Sequence, residues 1–140
     1  MVRSVLSVVI GVIAASALVL IVELVGHSMF PPPTDLDPGD PASIAKVPFS
    51  AKFAVVIAWF VGAFGGGAVA SLIAKRWAPA AWVVAGTILL LAGVTMLQFP
   101  HPYWMMIGAV VATGLGGFLS TKLTKAYYGR PFAGGPKPGL

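Results

Sequence analysis

Two histidines and one glutamate are the residues of this sequence best suited to chemistry. Glu23 and His27 are four positions apart, so they lie on one face of a helix. His101 lies in a separate, proline-flanked segment. Two imidazoles and a carboxylate can hold a zinc ion with an open coordination position, as in metal-dependent hydrolases. The chain has no H-E-x-x-H motif and no third histidine, so the sequence leaves metal binding open.

A structural interpretation of the same residues competes with the metal site. Glu23 lies a few residues from the end of the first apolar segment, so its side chain can extend toward the membrane surface. His27 is favoured by the helix dipole when charged and can pair with Glu23. We prefer this structural interpretation, although an ionisable residue inside a membrane segment is also the usual sign of a binding site.

Four apolar segments must position these residues, and they run over about residues 5–25, 53–74, 80–97 and 103–120. About 20 apolar residues in a helix cross a hydrocarbon core roughly 30 Å thick. A composition of 58% hydrophobic and 9% charged residues also excludes a soluble domain with a solvated surface. The sequence therefore predicts an all-α integral membrane four-helix bundle, built as two tandem helical hairpins within residues 1–125.

Two longer segments lie outside the predicted spans: a loop over residues 26–52 and a tail over residues 126–140. In the loop, three prolines from Pro31 end the first helix, and Asp40 before Pro41 predicts a short helix over residues 41–47. The tail is rich in glycine and proline and has few side chains that could pack. It is therefore predicted to be flexible.

The basic residues predict the orientation of the bundle. Seven of the nine lysines and arginines fall on one side of a four-span arrangement: Arg3, Lys75, Arg76, Lys122, Lys125, Arg130 and Lys137. Short loops rich in these residues stay in the cytoplasm, so we expect both termini to be cytoplasmic in a bacterial inner (plasma) membrane. These residues form no patch interleaved with aromatic residues, so nucleic-acid binding is excluded and the lipid bilayer is the expected partner. An interfacial aromatic belt is predicted from Trp59, Trp77, Trp82, Tyr103 and Trp104.

Small residues recur every four positions in two of the spans. Such spacing lets helix backbones approach closely, which stabilises helix association in lipid. The repeats are Gly62, Gly66 and Ala70 in the second span and Gly108, Ala112 and Gly116 in the fourth. We expect these two spans to pack against each other within one chain; a homodimer face or a substrate groove is the alternative.

Two motifs around the candidate residues resemble a known group of proteins. The pattern E-x-x-G-H-x-x-F-P-P-P starts at Glu23, and the pattern F-P-H-P-x-W ends at Trp104. In these motifs the chain resembles small bacterial four-span membrane proteins of uncharacterised activity, over most of its length. The resemblance implies one recurring constellation at the outer face, which includes the prolines and Glu23, His27, His101 and Trp104.

Three classes of function fit these observations, and we rank them in the following order. A structural or accessory protein, associating with itself or with a larger membrane complex, needs only the small-residue faces and the loop. A binding or transport module would use Glu23 and His27 to hold a cation, a proton or a polar head group. A metal-assisted hydrolase would need Glu23, His27 and His101 to converge.

The shortage of polar residues at mid-membrane depth argues against a continuous path for a solute, which places transport below a structural role. A role other than catalysis is preferred, and no cofactor is expected.

Overall fold

Five helices form the fold in the computed structural model, which describes residues 2–130. They are α1 (Val2–Met29), α2 (Pro41–Ala45), α3 (Phe49–Ile73), α4 (Ala78–Gln98) and α5 (Tyr103–Leu123). The helices α1, α3, α4 and α5 are each long and apolar enough to cross a membrane, which confirms the predicted all-α membrane bundle. Most helix ends lie a few residues beyond the predicted spans, because the helices continue past their most apolar windows.

Prolines and left-handed residues delimit the helices. Pro48 and Pro102 are the residues that precede α3 and α5, and Pro79 lies in the first turn of α4, where a missing N–H is tolerated. Beyond the other ends of α3 and α5, Lys75 and Lys125 adopt positive φ angles of 55° and 49°. A left-handed residue turns the chain out of the helix, so both helices stop abruptly.

The helix α3 lies at the centre of the bundle. It packs against α1, α4 and α5, whereas α1 and α5 make no contact with each other within residues 2–130. The helix α4 completes the arrangement by contacting α1 and α5. The core between them contains many alanines and a few larger side chains, among them Trp59, Val84, Ile88 and Met105. Small side chains bring the helix axes close together, which provides the close packing that stabilises helices in lipid.

The small-residue face of α3 formed by Gly62, Gly66 and Ala70 was expected to pack against α5, but it packs against a different helix. A Cβ atom added to Gly66 would meet the side chain of Ala15 and the carbonyl oxygen of Gly11, and one added to Gly62 would meet Val19. This face of α3 therefore contacts α1, not α5. Ala70 continues the same face, since it lies against Gly11.

The helix α5 packs against a neighbouring face of α3. A Cβ atom on Gly116 would lie 2.9 Å from the side chain of Ala63 and equally close to the α3 backbone, and one on Gly108 would lie 3.3 Å from Val56. Ala112 is buried between them. The expected contact between α3 and α5 is present, but it uses Ala63 and not the Gly62–Gly66 face. The helix α3 carries small residues on two adjacent faces, which is why it can occupy the centre.

We call the two ends of the bundle the loop end, with residues 30–48 and 99–102, and the tail end, with residues 74–77 and 124–130. At the loop end, Asp40 caps α2 by accepting a 3.0 Å hydrogen bond from the backbone N–H of Ala42. The predicted short helix is thus present, although it ends at Ala45. The Ser43 hydroxyl accepts a 2.8 Å bond from the Asp37 N–H, which closes the loop on itself.

At the tail end, residues 126–130, which belong to the predicted flexible tail, form hydrogen bonds with the α3–α4 turn and the start of α4. The backbone N–H of Tyr127 donates to the carbonyl of Arg76, and that of Ala78 donates to the carbonyl of Tyr127, both at 2.9 Å. The indole of Trp82 donates to the hydroxyl of Tyr128 at 2.9 Å. These bonds join the segment to the α3–α4 turn. The predicted tail beyond Arg130 lies outside the described residues.

Candidate functional site

His27, Lys52 and His101 line one cavity of about 180 Å³ at the loop end, which we call the basic cavity. His27 comes from the last turn of α1, Lys52 from the first turn of α3, and His101 from the α4–α5 turn. Apolar side chains from the loop and from the helices α2, α3 and α5 complete the wall: Pro32, Leu36, Ile44, Val47, Ala51, Val55 and Met105. Three groups that can carry positive charge therefore share one largely apolar cavity.

A hydrogen bond holds the ring of His101. Its Nδ1 lies 2.7 Å from the carbonyl oxygen of Phe99. Because a carbonyl only accepts, Nδ1 must carry the proton and donate, and Nε2 is the nitrogen left for other partners. Nε2 accepts a hydrogen bond when the imidazole is neutral and donates one when it is protonated. Pro100 and Pro102 flank the residue and restrict the turn that presents it.

Trp104 supports the basic cavity without lining it. Its ring lies 4.9 Å from the ring of Phe49, and Phe49 stacks on Phe53 at 5.9 Å. These contacts join the first turn of α5 to the first turns of α3. The neighbour of Trp104, Met105, is buried and reaches the cavity wall. The aromatic contacts thus hold the start of α3, which contains Lys52, against the start of α5, which follows His101.

Glu23 lies in a different cavity from His27. A groove of about 270 Å³ runs between α1, α3 and α4, and we call it the acidic groove. Its lining consists of Ser16, Val19, Leu20, Glu23, Trp59, Ile88, Leu91, Ala92 and Thr95. Glu23 and His27 are close enough to interact electrostatically, but they face separate spaces.

The structure does not assemble the three sequence-predicted residues into a metal centre. Within residues 2–130, no group of three histidine, aspartate or glutamate side chains is arranged to hold a metal ion. His27 and His101 are brought together, Glu23 is not, and a lysine shares the space between the histidines. The ammonium of Lys52 repels a cation, so the basic cavity is better suited to an anion.

Sequence reasoning missed two residues of these sites, Lys52 and Trp59. Lys52 could have been identified as a site residue from its position, since it is one of two lysines on the loop side and lies close to the start of α3. Trp59 was assigned to the interfacial belt, but it lies in the third turn of α3 and is only 4% exposed. Its depth within the helix was the signal that distinguished a core residue from a belt residue.

In comparisons with protein-family models, curated proteins and solved structures, no match to this chain was found. The resemblance to small bacterial four-span proteins stays a prediction, based on the two motifs alone.

Proposed function

We propose that this protein is a membrane-embedded binding module that holds the phosphate-bearing head group of a lipid at the loop end. The observation that carries the proposal is the single cavity shared by Lys52, His27 and His101. A lysine ammonium is a common partner of phosphate, and protonated imidazoles add further donors. The apolar remainder of the wall matches the part of a lipid next to its phosphate.

The proposal includes the location of the protein. We infer a bacterial inner membrane, with the tail end and both termini in the cytoplasm and the loop end outside. The excess of lysine and arginine at the tail end supports this orientation. Lys52 lies in the first turn of α3, so in this orientation it would lie near the outer interface. The ligand would then be a lipid of the outer leaflet.

This ligand differs from the cation or proton first considered for Glu23 and His27. Those two side chains line separate cavities, which argues against one cation site that uses both. The cavity that contains His27 also contains Lys52, whose charge opposes a cation. Among a cation, a proton and a polar head group, an anionic head group is the ligand that the charges of the basic cavity favour.

The test compares two lysines of the loop end. The protein in neutral detergent is titrated with short-chain phosphatidylglycerol, and binding is followed by tryptophan fluorescence. The variant Lys52→Met removes the charge from the cavity and keeps the length of the side chain. The matched control Lys46→Met removes an exposed lysine that pairs with Asp35 at 3.6 Å outside the cavity.

We expect Lys52→Met to weaken binding about 10- to 150-fold, the equivalent of a charge-assisted hydrogen bond of about 1.5–3 kcal/mol. Lys46→Met should bind like the wild type. Inorganic phosphate is titrated as a separate arm, and it should not compete if the apolar wall contributes to affinity. Equal loss in both lysine variants would mean that only the general charge matters and would contradict the proposal.

A structural, complex-forming role is the second candidate, and one observation favours it. The glycine-bearing groove between α4 and α5, of about 200 Å³, is almost wholly apolar and is lined in part by Gly86 and Gly114. An added Cβ at either position would meet nothing within 4 Å. Glycine inside a helix costs about 0.5–1 kcal/mol relative to alanine, so an open glycine face fits a helix from a second copy of the chain.

The oligomeric state in lipid nanodiscs or detergent tests this second candidate. Gly86→Leu would fill the groove and should convert a dimer to a monomer, whereas Gly93→Leu, also in α4 and equally open, should not. A monomeric wild type would eliminate self-association through this face.

A further inference from the structure

The acidic groove is a second concave site, independent of the basic cavity. Its polar groups are the carboxylate of Glu23, the hydroxyls of Ser16 and Thr95, and the indole of Trp59. The rest of the lining is aliphatic, from Val19 to Ala92. No lysine, arginine or histidine lines this groove in the described part of the chain. Its charge is therefore opposite in sign to that of the basic cavity.

The acidic groove lies in the half of the bundle next to the loop end. Glu23 precedes the last residue of α1 by six positions, about 9 Å along the helix, and Thr95 precedes the last residue of α4 by three, about 4.5 Å. Ser16 lies seven residues before Glu23, about 10 Å deeper. The groove thus extends from near the interface into the apolar layer, so its ligand reaches it from the lipid.

Two polar groups of the acidic groove, those of Glu23 and Thr95, favour a ligand that donates. The Thr95 hydroxyl donates its only hydrogen to the carbonyl of Leu91 at 3.0 Å, so its oxygen has only acceptor capacity left. An ionised carboxylate is likewise only an acceptor. Within residues 2–130, the carboxylate of Glu23 makes no hydrogen bond and no salt bridge. His27 interacts with Glu23 electrostatically but forms no salt bridge with it, so a bound ammonium group would further offset the cost of a carboxylate in an apolar membrane layer.

Trp59 adds an aromatic surface to these acceptors. Its side chain is 4% exposed, lies in the core cluster and forms part of the groove wall. No other described residue hydrogen-bonds to its indole. The face of a tryptophan ring attracts cations, and this attraction is larger when water is excluded. Aliphatic side chains such as Leu20 and Ile88 provide the surface for a hydrocarbon chain.

We propose that the acidic groove binds an amphiphilic amine that partitions into the membrane. Its ammonium group lies against Glu23 and Thr95, close to Trp59, and its alkyl chain lies along the aliphatic wall formed by α1 and α4. This site does not depend on the proposed lipid phosphate site, because the two cavities share no lining residue. Loss of one activity therefore leaves the other measurable.

The experiment uses decylammonium as the probe and decanol as its uncharged counterpart of equal chain length. Binding to the purified full-length protein in neutral detergent is measured by equilibrium dialysis with labelled probe, with protein-free micelles as the blank. The variant Glu23→Gln removes the charge and keeps the shape of the side chain. The matched control Asp35→Asn also removes one negative charge, from an exposed loop residue outside the groove.

We expect the wild type and Asp35→Asn to bind decylammonium equally, Glu23→Gln to bind it at least about tenfold more weakly, and decanol to bind to none of them. Unchanged binding by a folded Glu23→Gln variant, or equal binding of decanol, would overturn the proposal.

A second variant tests the groove with Glu23 intact. Leu91 is half exposed and lines the groove, so Leu91→Trp has space to fill it from the open side. This variant should also lose decylammonium binding while it retains phosphatidylglycerol binding at the basic cavity. Wild-type amine binding by Leu91→Trp would show that the amine binds elsewhere. This result would overturn the proposal even if Glu23→Gln failed to fold.

Discussion

Replacing Gly66 by alanine should destabilise the bundle, although alanine is the better helix former. The added methyl group would meet the side chain of Ala15 and the carbonyl oxygen of Gly11, and it would lie 2.9 Å from the Cα atom of Ala15. Two of these three atoms belong to the backbone of α1, which cannot rotate out of the way as a side chain does. The helices α1 and α3 would have to move apart along their main contact.

The expected magnitude follows from two opposing contributions. Alanine in place of glycine stabilises a helix by about 0.5–1 kcal/mol. Overpacking a tight contact costs about 1–3 kcal/mol, and backbone neighbours place Gly66 near the upper limit. The net result is a loss of about 2 kcal/mol in the free energy of unfolding. The control is Gly93→Ala, where the methyl group would meet nothing within 4 Å and only the gain of about 0.5–1 kcal/mol applies.

The assay is reversible unfolding in mixed micelles with increasing sodium dodecyl sulfate, followed by circular dichroism. The two variants should shift the midpoint in opposite directions. Gly11→Ala provides an independent check from the other helix, because its methyl group would meet Ala70 and the carbonyl oxygen of Gly66. If Gly66→Ala and Gly11→Ala were as stable as Gly93→Ala, the close contact between α1 and α3 would be refuted.

Three further predictions concern the ends of the bundle. The chain has no cysteine, so single-cysteine variants report topology: an impermeant thiol reagent applied to intact cells should label Gly39→Cys and spare Lys75→Cys, and the reverse pattern would invert the proposed orientation. Asp40→Ala should remove the cap of α2 at a cost of about 1 kcal/mol, measured as faster amide exchange in that helix, whereas unchanged exchange would show that the cap is unimportant. Ser71→Ala removes the 2.9 Å bond to Thr124 and should lower the free energy of unfolding by about 0.6 kcal/mol in the micelle assay; a stability equal to wild type would mean that the bond makes no net contribution.

The local features of this protein could be predicted from short stretches of sequence. Four apolar segments of sufficient length predict four helices. In lipid, an unpaired backbone N–H or C=O group is too costly for an irregular segment or an open sheet edge. Asp40 and Pro41 give the start of α2, because capping depends on residues within one turn. The motifs around His27 and His101 also drew attention to two residues that line one cavity, since a turn and a helix end are local features.

The interhelical contacts could not be predicted in the same way. Gly62 and Gly116 both have the spacing of packing residues, but spacing does not identify the neighbouring helix. Gly62 contacts α1 instead of α5, and Gly116 contacts α3 at Ala63 instead of at the Gly62–Gly66 face. The docking of Tyr127 on the α3–α4 turn has no signal in the glycine- and proline-rich tail sequence, because its hydrogen bonds involve the backbone of a distant segment.

The sequence by itself determined the class of this protein, its helices and the sign of its charged ends, since these depend on composition and on residues within one or two turns. Only the tertiary structure decided that His27 and His101 share a cavity with Lys52, while Glu23, one turn from His27, faces a separate groove with Trp59. Two residues on one face of a helix can line different cavities when different segments pack beside each of them. That division depends on how α3 and α4 lie against α1, which no local pattern encodes.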